Sequence, residues 1–177
     1  MDKSVLVTYA SKYGSTQEIA EKIGKVLRQA NLKADVYPVD RIKEINSYEA
    51  VILGSAVYIG KWQKEAVTFL QANEKSLAER AVWLFSSGPT GEGDPVELVK
   101  GQRLPPALQP VADRIQPRDV TVFHGHINSA KINTIEKWSI KNIVKKQFGD
   151  YRDWDAIISW TVAIAETLKD TQPPRSS

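Results

Sequence analysis

Short apolar runs alternate with amphipathic stretches along most of the chain. The runs fall at 4–9, 32–39, 50–56, 81–86 and 120–124. Ala50-Val51-Ile52-Leu53 and Ala81-Val82-Trp83-Leu84-Phe85 are continuously apolar, as strands covered on both faces are. In 32–39, by contrast, Leu32, Ala34 and Val36 alternate with polar neighbours, which predicts a half-covered edge strand. Between the runs, 16–31 places Ile19, Ala20, Ile23, Val26, Leu27 and Ala30 at the spacing of one helical face. Further helices are expected at 63–73, 106–115 and 154–169. The last carries Ile157, Thr161, Ile164 and Leu168 on one stripe, with Asp153 as its N-cap. Strands and helices in alternation predict an α/β fold, a parallel sheet with helices on both faces.

Two connections exceed what this rhythm requires. One, 87–105, is rich in Gly and Pro; the other, 128–152, has room for an extra helix at 131–148. Long connections in compact α/β domains are more often functional than accidental. One domain over 1–169 is expected, followed by a flexible polar tail at 170–177 containing Pro173-Pro174. In 131–148, Lys131, Lys137, Lys141, Lys145 and Lys146 against Glu136 give a net +4, more than the +3 of the whole chain. On a helical projection Ile132, Ile135, Ile140, Ile143 and Val144 share one broad arc, with most lysines opposite. Trp138 falls among the lysines and Glu136 within the apolar arc. Two readings stay open: an interfacial helix that brings the domain to a membrane surface or to a partner carrying an electron acceptor, or a surface helix packing its isoleucines on its own domain.

Composition narrows the chemistry. Cysteine is absent, which excludes disulfides, iron–sulfur ligation, thiolate zinc and cysteine nucleophiles. Redox chemistry would therefore need a bound organic cofactor. The two histidines have no metal-ligand spacing, so no metal site is expected. The pI near 9.0 lacks the dense clustering of a nucleic-acid binder. No signal-peptide pattern or membrane-length apolar run is seen, and a cytoplasmic location is expected, peripheral on the inner membrane face if 131–148 meets lipid.

The turn after the first run, Ser11-Lys12-Tyr13-Gly14-Ser15-Thr16, opens the first helix, where unpaired N–H groups and the helix dipole favour an anion. Hydroxyls at Ser11, Ser15 and Thr16, a bend at Gly14 and a charge at Lys12 suit a phosphate. Ser15 and Glu18 could instead form an ordinary capping box. The pattern is neither a Walker loop nor the three-glycine dinucleotide fingerprint, so ATP and NAD are not favoured. Two further strand ends, Gly54-Ser55-Ala56-Val57-Tyr58-Ile59-Gly60-Lys61-Trp62 and Phe85-Ser86-Ser87-Gly88-Pro89-Thr90-Gly91, offer aromatic walls and Gly-rich backbone for a flat ring such as a flavin. Tyr58 ranks ahead of Trp62, which begins a helix. His124 and His126 read as structural, Glu92 and Asp94 as turn residues, Trp83 and Trp160 as core. No acid–base catalytic residue is assigned.

Ser11-x-x-Gly14-x-Thr16 resembles the phosphate loop of flavodoxins, and Gly54-Ser55 and Ser86-Ser87-Gly88 keep that register over most of the chain. The closing segment Gly149-Asp150-Tyr151-Arg152-Asp153-Trp154-Asp155-Ala156-Ile157 is similar to the flavodoxin-domain branch of menaquinone-dependent protoporphyrinogen dehydrogenase, which also carries an insertion before its last helix. The resemblance implies a flavodoxin-like, doubly wound, five-stranded parallel sheet of order 2-1-3-4-5 and FMN as cofactor. Phosphate contacts would come from residues 11 to 16. Ring contacts would come from Ser55, Ala56, Val57, Tyr58, Ile59, Gly60 and Trp62, and from Ser86, Ser87, Gly88, Pro89 and Gly91. It further implies a dehydrogenase that oxidises a large reduced organic substrate and passes electrons to a quinone. The alternatives are a soluble electron carrier and a non-catalytic FMN-binding module. Carrier flavodoxins are strongly acidic, and this chain is slightly basic.

Overall fold

The computed structural model describes residues 4–127, 138 and 149–171. Five parallel strands, β1 (Ser4–Ala10), β2 (Lys33–Pro38), β3 (Ala50–Tyr58), β5 (Ala81–Ser87) and β6 (Asp119–Phe123), form a sheet in the order β2-β1-β3-β5-β6. Counting parallel strands alone, this is the expected 2-1-3-4-5. A two-residue strand β4 (Lys61–Trp62) folds back antiparallel on the end of β3, and β7 (His126–Ile127) pairs antiparallel with β8 (Gly149–Asp150) outside the main sheet. The hydrophobic pattern does not announce these three short antiparallel pieces.

Side chains alternate across each strand, and here both faces are covered. From β1, Val5, Val7 and Tyr9 enter one core with Ile52, Phe85 and the buried faces of α1 (Ser15–Gln29) and α6 (Trp154–Asp170). Leu6 and Ala10 enter the other with Val51, Leu53 and Leu84, closed by α2 (Lys64–Ala72), α3 (Glu74–Ala78) and α5 (Gln109–Ile115). The edge strand β2 is half-exposed. Trp83 is buried, and Trp160 packs edge-on against Phe85 and Phe123 while its indole N–H donates to Asp119 at 2.8 Å.

Several helix ends differ from expectation. The stretch 106–115 begins as a 3-10 turn, Pro106–Leu108, and becomes α5 only at Gln109, with a proline in the first turn where no N–H is needed. A short helix α4 (Pro95–Leu98), capped by Asp94 accepting from the Val96 N–H at 2.8 Å, interrupts the Gly-Pro connection. Asp153 caps α6 as expected, accepting from the Ala156 N–H. The helix expected at 131–148 lies outside the described residues except for Trp138, which is helical and 60% exposed.

The registers bring the strand ends level. Ala10 lies beside Ser55, Ser55 beside Ser86, and Ser87 beside Phe123. The turns that follow therefore meet at one edge of the sheet.

Candidate functional site

Gly14 is the N-cap of α1 at φ 94, a left-handed conformation that favours glycine, and it turns the chain sharply into the helix. The capping box does not form, because no side chain caps this terminus. Ser11 Oγ instead accepts from the Gly14 N–H at 2.9 Å, and Ser15 Oγ accepts from the His126 N–H at 3.1 Å. Each hydroxyl keeps its own proton to donate. Thr16 is 1% exposed, and its Oγ1 has no hydrogen-bond partner among the described residues. The first N–H groups of α1 are likewise without helical acceptors. Unspent donors thus converge at one helix N-terminus, the requirement for binding a phosphate dianion.

The second turn separates wall from support. Ala56, Val57 and Tyr58 line a small cleft, of about 50 Å³, together with Ser11, Lys12, Tyr13, Ser15 and Thr16. Ile59 and Gly60, with φ of 51 and 67, make the tight turn from β3 to β4. A β-branched residue is strained there, and Ile59 is also 60% exposed at the tip. Ser55 lies beneath: its Oγ accepts from the Gln63 N–H and donates to the Ala56 carbonyl, both at 2.9 Å. Trp62 does not open a helix. It sits in β4, 5% exposed within the core, and its indole N–H donates to Ser86 Oγ at 2.8 Å. Ser86 in turn donates to the Arg103 carbonyl at 2.9 Å. Ser55, Trp62 and Ser86 brace the turns from behind, while Tyr58 stands on the cleft.

From the third turn, Ser87 and Gly88 line the cleft, and Pro89 and Gly91 do not. The Pro89 carbonyl accepts from the Gly125 N–H at 2.9 Å, and the His124 ring lies between the carbonyls of Pro89 (3.2 Å from Nδ1) and Gly93 (2.8 Å from Nε2). His124 therefore pins the Gly-Pro connection. A Cβ on Gly125 would come 2.9 Å from the Gly88 backbone, so only glycine lets these two turns touch.

The remaining wall was not expected from sequence. Gln63, Gly125, His126 and Ile127 complete the cleft. Arg152, its side chain 5% exposed, locks that wall in place. Its guanidinium donates to both oxygens of Asp150 at 2.9 and 2.8 Å, pairs with Glu18 of α1, approaches His126 Nδ1 at 3.4 Å and lies 4.7 Å from the Trp154 ring centroid. These hydrogen bonds hold the Asp150 carboxyl below its ordinary pKa and raise that of Arg152. Sequence offered one signal for this clamp, the closing segment around Arg152, and none for what it would touch. Among the described residues no group of three or more acidic or histidine side chains could hold a metal ion.

The polar atoms fit FMN at both ends: donors without acceptors at the turn of α1, and an aromatic wall at Tyr58 and Tyr13. A model of the flavodoxin domain matches residues 6–153. The chain is 22% identical over 178 residues to protoporphyrinogen IX dehydrogenase [quinone] of Escherichia coli K12, covering 90% of this chain and 93% of that protein. Among solved structures, an archaeal flavodoxin superposes with a TM-score of 0.61 at 16% identity, covering 94% of this chain and 99% of that one. Rubredoxin oxygen:oxidoreductase of Desulfovibrio gigas superposes with a TM-score of 0.63 at 15% identity. It covers 94% of this chain but only 36% of that longer chain.

Proposed function

The chain belongs to the flavodoxin-domain family, FMN is its cofactor, and we propose that it is a dehydrogenase that oxidises a large reduced organic substrate of the protoporphyrinogen kind and delivers the electrons to a quinone. One observation carries this reading. β8, which opens the segment that resembles the dehydrogenase branch, pairs with β7, and Arg152 of that segment holds Asp150 and approaches His126, so the segment braces from behind the cleft wall made by Gly125, His126 and Ile127. The similarity to a protein named as a quinone-linked dehydrogenase, which spans nearly the whole of both chains, supports it.

FMN, when bound, supplies a ring that accepts and releases electrons. The chain supplies the rest. Ser11, Ser15 and Thr16 would hold the phosphate with their hydroxyl protons, Tyr58 and Tyr13 would flank the ring, and the brace of Ser55, Trp62 and Ser86 keeps the turns at fixed separation. Contact with a membrane surface through 131–148 belongs to the same proposal and rests on its charge pattern. Among the described residues no helix is long and apolar enough to cross a membrane.

The test is anaerobic. Protoporphyrinogen should bleach the visible absorption of the FMN-loaded protein, and a soluble quinone analogue should restore it. If only a reductase protein bleaches the flavin, the second reading, a soluble electron carrier, replaces the first. The likeness to a flavodoxin covered over 99% of its length supports that alternative. Co-sedimentation with anionic liposomes at low salt, lost at high salt, tests the membrane contact.

A further inference from the structure

Lys12 belongs by sequence to the phosphate turn, but its side chain reaches across to the second turn. Its ammonium stands 3.7 Å from the centroid of the Tyr58 ring and 5.2 Å from that of Tyr13. Those two rings pack with Ile127 in a small apolar cluster separate from both sheet cores. The charge is therefore placed at the aromatic end of the cleft. No Asp or Glu lines that cleft, and no carboxylate of the described residues forms an ion pair with Lys12. The donors at the other end, the hydroxyls of Ser11, Ser15 and Thr16, would serve a phosphate without it.

We propose that Lys12 acts on the flavin ring and not on the phosphate, and that its charge favours reduced FMN over oxidised FMN. Oxidised flavin has a neutral ring. Taking two electrons and one proton from the substrate leaves the ring with one negative charge, while the substrate's second proton goes to water. Both electrons then pass to a quinone, which takes the flavin proton and one from water to become the quinol. A cation held over an aromatic surface binds the charged state more tightly than the neutral one, by a modest margin because Lys12 is itself exposed to water. The inference rests on FMN occupying this cleft and deepens the dehydrogenase reading, because a reduced state stabilised in this way suits a quinone acceptor of comparatively high potential.

The experiment compares the unsubstituted protein with Lys12→Gln and Lys12→Arg, using FMN and riboflavin as probes. Lys12→Gln is expected to lose about tenfold in affinity for reduced relative to oxidised FMN, a fall of about 30 mV in two-electron midpoint potential. The preference for FMN over riboflavin should stay within about twofold, since phosphate contacts are untouched. Lys12→Arg should keep the potential. The proposal is overturned if Lys12→Gln leaves the potential unchanged, or if the FMN preference collapses instead, which would make Lys12 a phosphate ligand. Quinone reoxidation is measured separately on the unsubstituted protein. Failure there ends the dehydrogenase reading, and the midpoint potentials still decide whether Lys12 acts on the ring.

Discussion

Leu53 and Ser55 lie two residues apart on β3, and Leu84 and Ser86 two apart on β5, all four nearly or wholly out of water. The leucines belong to the apolar layer closed by α2, α3 and α5. The serines spend every available polar atom on the turns around them: Ser55 on Gln63 and Ala56, Ser86 on Trp62 and Arg103. Burial is the same and the physics is not. Apolar burial contributes in proportion to area and is indifferent to pH, whereas each hydrogen bond nets only about 0.5–1.5 kcal/mol because water is an adequate alternative partner. The sheet interior thus sets the stability, and the rim at its carboxyl ends is held by many small, exchangeable interactions. A ligand that offers better partners can engage such a rim without unfolding the sheet.

The largest effect should come from the interior. Phe85 is fully buried and touches Phe123 and Trp160. Phe85→Ala should cost about 3–5 kcal/mol in urea unfolding, with the loss the same at pH 5 and pH 8. A loss that changes with pH would show that rim charges are coupled to this core.

Next in size is the clamp. Arg152→Met removes charge-assisted hydrogen bonds to Asp150 and Glu18, both half-exposed and able to recover water, for an expected cost of about 1–3 kcal/mol. The pH sign follows from Asp150, whose folded-state pKa is depressed by Arg152. Its contribution is fully present above the ordinary carboxylate value of about 4 and is lost as pH falls through the lower folded value. The unsubstituted protein should therefore lose stability more steeply than Arg152→Met below about pH 4. Parallel acid curves would mean that the clamp has no part in acid stability.

The same division decides what could be read from sequence. Strands and the turns after them were legible because a continuous apolar run followed by Gly and Ser is a local pattern, as at Leu53-Gly54-Ser55 and Phe85-Ser86-Ser87-Gly88. Trp62 was misplaced because it abuts a helical pattern beginning at Lys64, while the fold-back of β4 needs an isoleucine at positive φ, which propensity argues against. Of the far wall, only the closing segment around Arg152 gave a signal, and its contacts gave none. Ser15 and His126 are separated by 111 positions and Arg152 and Glu18 by 134, and no local spacing encodes such meetings. The Ser15–Glu18 capping box was plausible by spacing and lost to one of those contacts, since Ser15 Oγ serves the His126 N–H.

The third prediction returns to the rim. Thr16→Val deletes one donor from the phosphate turn and should weaken FMN binding by about 1–2 kcal/mol, read by fluorescence quenching on titration with the apoprotein. Riboflavin affinity should be unchanged. Equal losses for both ligands would show that Thr16 shapes the turn and does not contact phosphate.

The smallest effect has the opposite sign and comes from a second buried threonine. Thr8 lies in the middle of β1, wholly buried, on the same face as Leu6 and Ala10 and level with Leu53 of β3. Like Thr16, its Oγ1 has no hydrogen-bond partner among the described residues. The two hydroxyls differ in where they stand: Thr16 opens onto a cleft with converging donors, and Thr8 faces a layer of aliphatic side chains. An unmet hydroxyl in such a layer costs desolvation with no return, on the order of 1–3 kcal/mol, and valine keeps the shape while removing it. Some of that gain is offset because the hydroxyl can turn toward a carbonyl of its own strand. Thr8→Val should therefore raise stability by about 1 kcal/mol, as a higher urea midpoint with an unchanged slope, and leave FMN affinity alone. A lower midpoint would mean that the Thr8 hydroxyl is satisfied, by a buried water for instance, and that the interior is less purely apolar than its side chains indicate.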